Sequence, residues 1–133
     1  MKQYWTRTIQ AANDLSNPDD VYKAITIGGD FAANGRETLG ILVEGASSGR
    51  NITVAVAGLI PYASIAVISA GAALSVNGSG EFILLTAADF EVGMALGHKG
   101  VDAVVVTSNA IGEGHFNFAV KQYTEALSSG VFI

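Results

Sequence analysis

Ser47 stands in Gly-Ala-Ser-Ser-Gly (Gly45–Gly49), which fits the G-x-S-x-G pattern of the serine-hydrolase nucleophile elbow. Two histidines, His98 and His115, and several acids follow it, so the residue types of a triad are present. The chemistry needs more than types. The elbow is a strand, a sharp turn and a helix, with the serine exposed and the oxyanion amides at the helix start. The residues after Gly49 are Arg-Asn-Ile-Thr-Val-Ala-Val, β-branched and alternating, which reads as strand. Gly45–Gly49 is therefore expected to be a hairpin loop, and no catalytic residue is expected.

The other candidates are weaker. His98 sits in the glycine-bounded loop Gly-His-Lys-Gly. His115 opens an alternating run in which Phe116 and Phe118 face one way and His115 and Asn117 the other. These histidines are 17 residues apart, without acids at metal-ligand spacing, so no metal is expected. Asp19-Asp20 and Asp89/Glu91 lie in loop-like contexts without the pattern of a calcium loop. Cysteine is absent, which excludes thiol catalysis and thiolate metal sites. The glycines of Ile68–Leu85, ISAGAALSVNGSGEFILL, invite a phosphate-loop reading. They lack the lysine, the glycine spacing and the following helix, and Asn77-Gly78 between apolar runs signals a hairpin turn. No cofactor is expected.

Charge removes further classes. Seven basic against twelve acidic residues leave a net charge of −5, the wrong footprint for nucleic acid. No stretch of about 18 consecutive apolar residues occurs, so no membrane partner is expected. The start, MKQYWTRTIQAANDL, has no apolar core of a signal peptide, and a soluble protein made in the cytosol is the expectation. Charged residues make up only 14% against half hydrophobic, which hints at a surface covered by a partner.

The elements are short and β-type. Segments at 21–27, 37–45, 51–58, 62–69, 73–76, 81–85, 90–97, 101–108 and 114–120 are separated by Gly, Asn-Gly or Pro signals. The gaps are too short for crossover helices. The pattern predicts an all-β fold: a single antiparallel β-barrel or sandwich-like domain over residues 21–120. Residues 1–20 read as an extended N-terminal arm ending in Ser-Asn-Pro-Asp-Asp, and 121–133 as a short helical tail. Tyr4 and Trp5, with Arg7 nearby, are the residue types that anchor interfaces. Equally, the arm could fold back and cap the domain's own core.

The run Glu37–Leu85, continued by Val-Gly-Met-Ala-Leu (Val92–Leu96) and Gly-Glu-Gly-His-Phe-Asn-Phe-Ala, resembles the small capsid decoration, or cement, proteins of tailed bacteriophages. The resemblance lies in glycines and apolar steps, among them Val56–Gly58 and Ile68–Phe82, and spans roughly residues 22–120. It implies a non-enzymatic β-barrel that sits on the outer surface of a virion head, commonly as a homotrimer, and holds major capsid protein subunits together. By position it also makes Tyr4, Trp5 and Arg7 the expected capsid contacts. A receptor- or glycan-binding module of the virion or tail is the alternative, and a serine hydrolase using Ser47 the third.

Overall fold

The alternating segments fold into nine antiparallel strands. In the computed structural model, which describes residues 3–35, 37–65, 67–85, 91–98, 101–102 and 110–118, these are β1 (Tyr4–Gln10), β2 (Ala24–Ile25), β3 (Gly40–Glu44), β4 (Asn51–Ala63), β5 (Ala73–Val76), β6 (Phe82–Leu84), β7 (Gly93–His98), β8 (Val101–Asp102) and β9 (Ile111–Asn117). Pro18–Asp20 forms one 3-10 turn, capped by Asn17 Oδ1, which accepts from the Asp19 amide at 2.9 Å. The expected helix over 120–129 lies outside the described residues.

The sheet runs β2-β3-β4-β9-β7-β5-β6, with β1 beside β4 and β8 beside β7. Its ends return toward one another. The Ala24 amide donates to the Gly80 carbonyl at 2.7 Å, and Ser64, just past β4, bridges to Phe82 in β6. The result is an all-β, nearly closed antiparallel barrel. The Asn77-Gly78 signal is realised as the turn between β5 and β6. Asn77 Oδ1 accepts from the amides of Ser79 (2.9 Å) and Glu81 (3.0 Å), which holds the loop against Val76↔Phe82 pairing.

One long strand replaces the two expected on either side of Pro61. β4 continues through the proline because of where the missing N–H would point. The amides of Leu59 and Ala63 donate to the Gln3 and Tyr22 carbonyls on the β1 side, so Pro61 faces that side too. It falls in the gap between Gln3 and Tyr22, and no ladder bond is lost. Pairing with β9 on the other edge runs unbroken from Ala57↔Asn117 to Ala63↔Ile111. β4 turns the barrel's corner at Gly58, whose φ of +114° would strain any other residue. A Cβ there would also strike the Gln3 carbonyl and the Tyr4 backbone.

β2, β3 and β4 are buried on both faces, and alternation sorts their residues into two cores. Ala24, Ile41 and Ala55 face the barrel interior with Ile60, Tyr62, Leu74, Phe82 and Phe116. Their neighbours Ile25, Leu42 and Val54 face outward, onto a second core with Ile52, Ala11 and Leu15. The lid of that second core is the stretch after β1. Leu15 is fully buried, its amide donates to the Ala46 carbonyl at 2.8 Å, and the Ala12 amide donates to the Gly29 carbonyl at 3.0 Å.

Most of the stretch expected to be an arm is thus part of the folded domain. Tyr4–Gln10 pairs along its length with β4, from Tyr4↔Gly58 to Gln10↔Asn51. The fold-back reading of this segment describes its backbone. Its side chains are another matter.

Candidate interaction surface

β1 alternates like any strand, and its two faces land on the two cores. Ile9 lies opposite Ile52 and packs on the second core, while Tyr4 packs partly on the barrel interior. Period two then puts Trp5 and Arg7 on the Ile9 face and Thr6 and Thr8 on the Tyr4 face. Neither core extends far enough to cover these four residues, which are all exposed. Trp5 is 77% exposed, the most of any large apolar side chain among the described residues. Full exposure of an indole forgoes roughly 1.5–3 kcal/mol of burial, which a covering partner would recover.

Two of the three expected contact residues, Trp5 and Arg7, therefore stand in solvent on one face of an edge strand. The third, Tyr4, is half-buried against the barrel. Sequence singled out Trp5 and Arg7 by residue type alone; the edge strand that presents them had no turn or glycine signal to reveal it.

The residues considered for chemistry are dispersed. Ser47 occupies an exposed turn between β3 and β4, closed by the Arg50 amide on the Ser47 carbonyl at 3.1 Å. That loop is tied to the N-terminal segment. The Gly49 amide donates to the Ala11 carbonyl at 2.9 Å, Ser48 Oγ to the Ala12 carbonyl at 3.1 Å, and Gln10 Nε2 to the Gly49 carbonyl at 2.8 Å. Strand β4 follows the loop, as its alternation predicted, so the loop has no helix start from which to build an oxyanion hole. His115 is exposed on β9, opposite Leu59 and Met94, in a shallow groove with Glu91 and Asn117. His98 closes β7, paired with Gly112 and Val101. Asp89 and Lys99 lie outside the described residues. Among the described residues, no three His, Cys, Asp or Glu side chains gather as a metal cage.

An open cleft of about 620 Å³ was invisible in the sequence, because its walls come from four distant segments. Asp19, Tyr22 and Lys23 line it together with Ser64, Glu81 and Ile111. Tyr22 holds a left-handed φ of +74°, which lets its amide reach the Leu42 carbonyl (2.7 Å) and its carbonyl receive the Ala63 amide (2.9 Å). Lys23 is engaged by Asp20 at 3.5 Å and lies 5.3 Å from the Phe31 ring centre.

Inside the barrel, Tyr62 packs against Phe82 and Phe116 with ring centres 5.4 and 6.0 Å away. Its hydroxyl is buried without a hydrogen-bond partner among the described residues, and burial pushes its pKa up to about 12. Gly112 makes room for that hydroxyl, since a Cβ there would meet the phenol's tip. At the surface, the Ser16 hydroxyl and amide donate to Asp14 Oδ1 at 2.6 and 3.0 Å and hold that carboxyl below its ordinary value.

No protein-family model matches the chain, and no curated protein matches its sequence significantly. No helix among the described residues is long and apolar enough to cross a membrane.

Proposed function

We propose that the protein is a structural, non-enzymatic component of a phage virion that binds the outside of the head and stabilises contacts between major capsid protein subunits, arranged as a homotrimer. The observation that carries the reading is the exposed Trp5 on an edge strand of an otherwise well-packed barrel, with Arg7 beside it. An aromatic anchor next to a guanidinium is the composition of an interface centre. The likeness of the glycine and apolar steps to decoration proteins supports it, as does the barrel those steps form. Such a role asks for many copies of a modest contact, because each repeat around a shell adds through avidity.

The test is quantitative mass spectrometry of purified particles from the source. One copy per shell subunit, or close to it, supports decoration. A handful of copies per particle would move the protein to a tail, and its absence from particles would end the reading. Trp5→Ala should then lower shell occupancy, with about 2 kcal/mol or more lost per copy if the indole is an anchor.

A second reading draws on the cleft. Its size and its mixture of Asp19, Glu81, Ser64 and the single aromatic Tyr22 suit a small polyhydroxylated ligand, so a glycan-binding module of the virion is the alternative. Glu81→Ala abolishing binding to host-cell glycans, with particle stability unchanged, would favour it.

A further inference from the structure

Among the described residues, the outer edge of β1 is unpaired at Tyr4, Thr6 and Thr8, while at Gln10 the turn at Gly29 packs against the carbonyl. Direction along the strand is settled by two bonds: the Gln3 carbonyl receives the Leu59 amide at 3.0 Å, and the Ala11 amide donates to the Arg50 carbonyl at 2.8 Å. Both are odd-numbered, so odd residues of β1 point their amides and carbonyls at β4. Tyr4, Thr6, Thr8 and Gln10 point theirs the other way. No described strand pairs with that side. The register slip between Trp5 and Thr6 is taken up by the extra residue Val56 in β4, so β1 itself stays regular. It carries no proline and no bulge of its own, and Arg7 is its one charge.

We propose that this edge pairs with the same edge of a second copy of the chain, antiparallel about a two-fold axis through Thr6. The side-chain order selects the partner and the register. Centred on Thr6, an antiparallel pair sets Thr6 opposite Thr6, Tyr4 opposite Thr8, and Trp5 opposite Arg7 of the other copy. The Thr6 and Tyr4/Thr8 positions are those whose backbone groups face outward, so they form the hydrogen-bonded pairs. Trp5 and Arg7 then fall at the non-hydrogen-bonded positions, where opposing side chains come closest. Each copy thereby lays its guanidinium on the other's indole, twice per dimer, an isologous arrangement in which the interface is its own complement. A two-fold axis through Arg7 would oppose two cations, and one through Thr8 would require the chain to stay extended beyond Gln10, where it turns to cover the second core. The strand itself bears no acid to compete for Arg7.

This pairing belongs to the free protein, whereas the homotrimer proposed above is an arrangement on the shell, so the dimer stands whether or not the protein docks there. If docking uses Trp5 and Arg7, the two occupancies exclude one another. Failure of self-pairing would leave the particle measurement untouched.

The chain has no cysteine, so a single introduced thiol reports the register directly. Thr6→Cys places the two thiols across the axis at about 5.5 Å between Cα atoms, within disulfide range. In Thr8→Cys the thiols are offset by four residues, about 13 Å along the strand, and out of reach. Mild oxidation should convert the first to a covalent dimer and leave the second a monomer. Both sites are exposed, and unchanged circular dichroism and thermal midpoints will show that the variants fold. The unmodified protein should show a concentration-dependent monomer–dimer equilibrium by sedimentation, weakened at least about tenfold by Trp5→Ala. The proposal is overturned by cross-linking of Thr8→Cys as readily as Thr6→Cys, by no cross-linking of either, or by a mass that stays monomeric at every concentration.

Discussion

Replacing Tyr62 with phenylalanine removes one oxygen from the middle of the barrel and nothing else. That hydroxyl has no partner among the described residues, and the ring around it is fixed by Phe82 and Phe116. At neutral pH the wild-type protein bears the cost of an unsatisfied buried hydroxyl, about 1–3 kcal/mol. Tyr62→Phe should therefore be as stable as wild type or up to about 1 kcal/mol more stable. The larger difference lies at alkaline pH. The phenol's folded pKa is about 12 against an ordinary 10.0, so between these values the unfolded chain ionises and the folded chain does not. The folded state then binds more protons, and stability falls as pH rises. The stability linked to Tyr62 is complete below pH 10 and lost as pH climbs to about 12. Two units at 1.36 kcal/mol each make that loss about 2–3 kcal/mol. Urea denaturation of both proteins at pH 8 and pH 11.5, followed by circular dichroism, measures it. Every other residue is common to the two proteins, so the difference belongs to Tyr62. Identical alkaline decline in the two would refute the argument, because it would mean that the hydroxyl reaches solvent or a partner.

The remaining predictions concern parts of the fold that the sequence left open. Leu15→Ala should lose about 2–5 kcal/mol by chemical denaturation, as a fully buried leucine in the second core. Removal of residues 1–15 should prevent cooperative folding, whereas a true arm would be dispensable; a truncated protein with the wild-type melting curve would contradict the two-core description. Gly58→Ala should cost at least about 2 kcal/mol, from a positive φ and a collision with the Gln3 carbonyl, read as a fall in thermal midpoint. Ser47→Ala should change stability by less than about 0.5 kcal/mol, since the side chain is exposed in a turn. Ester hydrolysis that wild type performs and Ser47→Ala loses would reopen the hydrolase reading.

Much of the architecture was legible because β signals are local. Asn77-Gly78 names its own turn, and the alternation of Ile52, Val54 and their neighbours names a strand without reference to anything distant. The short gaps between apolar runs pointed away from helical crossovers, and the absence of cysteine excluded thiol chemistry. Tyr4, Trp5 and Arg7 stood out for the same reason: residue type is a local property.

What only the tertiary structure decided are matters of which segments meet. Pro61 reads as a strand breaker along the chain, yet it is harmless in β4 because its missing donor points into the gap between Gln3 and Tyr22. Met1–Asp20 reads as an arm because it is polar and ends in a turn. Pairing with β4 makes most of it a strand and a lid, and the second core it covers exists only once β2, β3 and β4 lie side by side. The exposure of Trp5 is likewise no property of YWTRTIQ. It follows from β1 sitting at the sheet's edge, beyond the reach of either core. A sequence carries the pattern of each strand; the partners of its edges and faces are set by contacts distant along the chain, and on this protein those contacts decide which side chains remain for a partner.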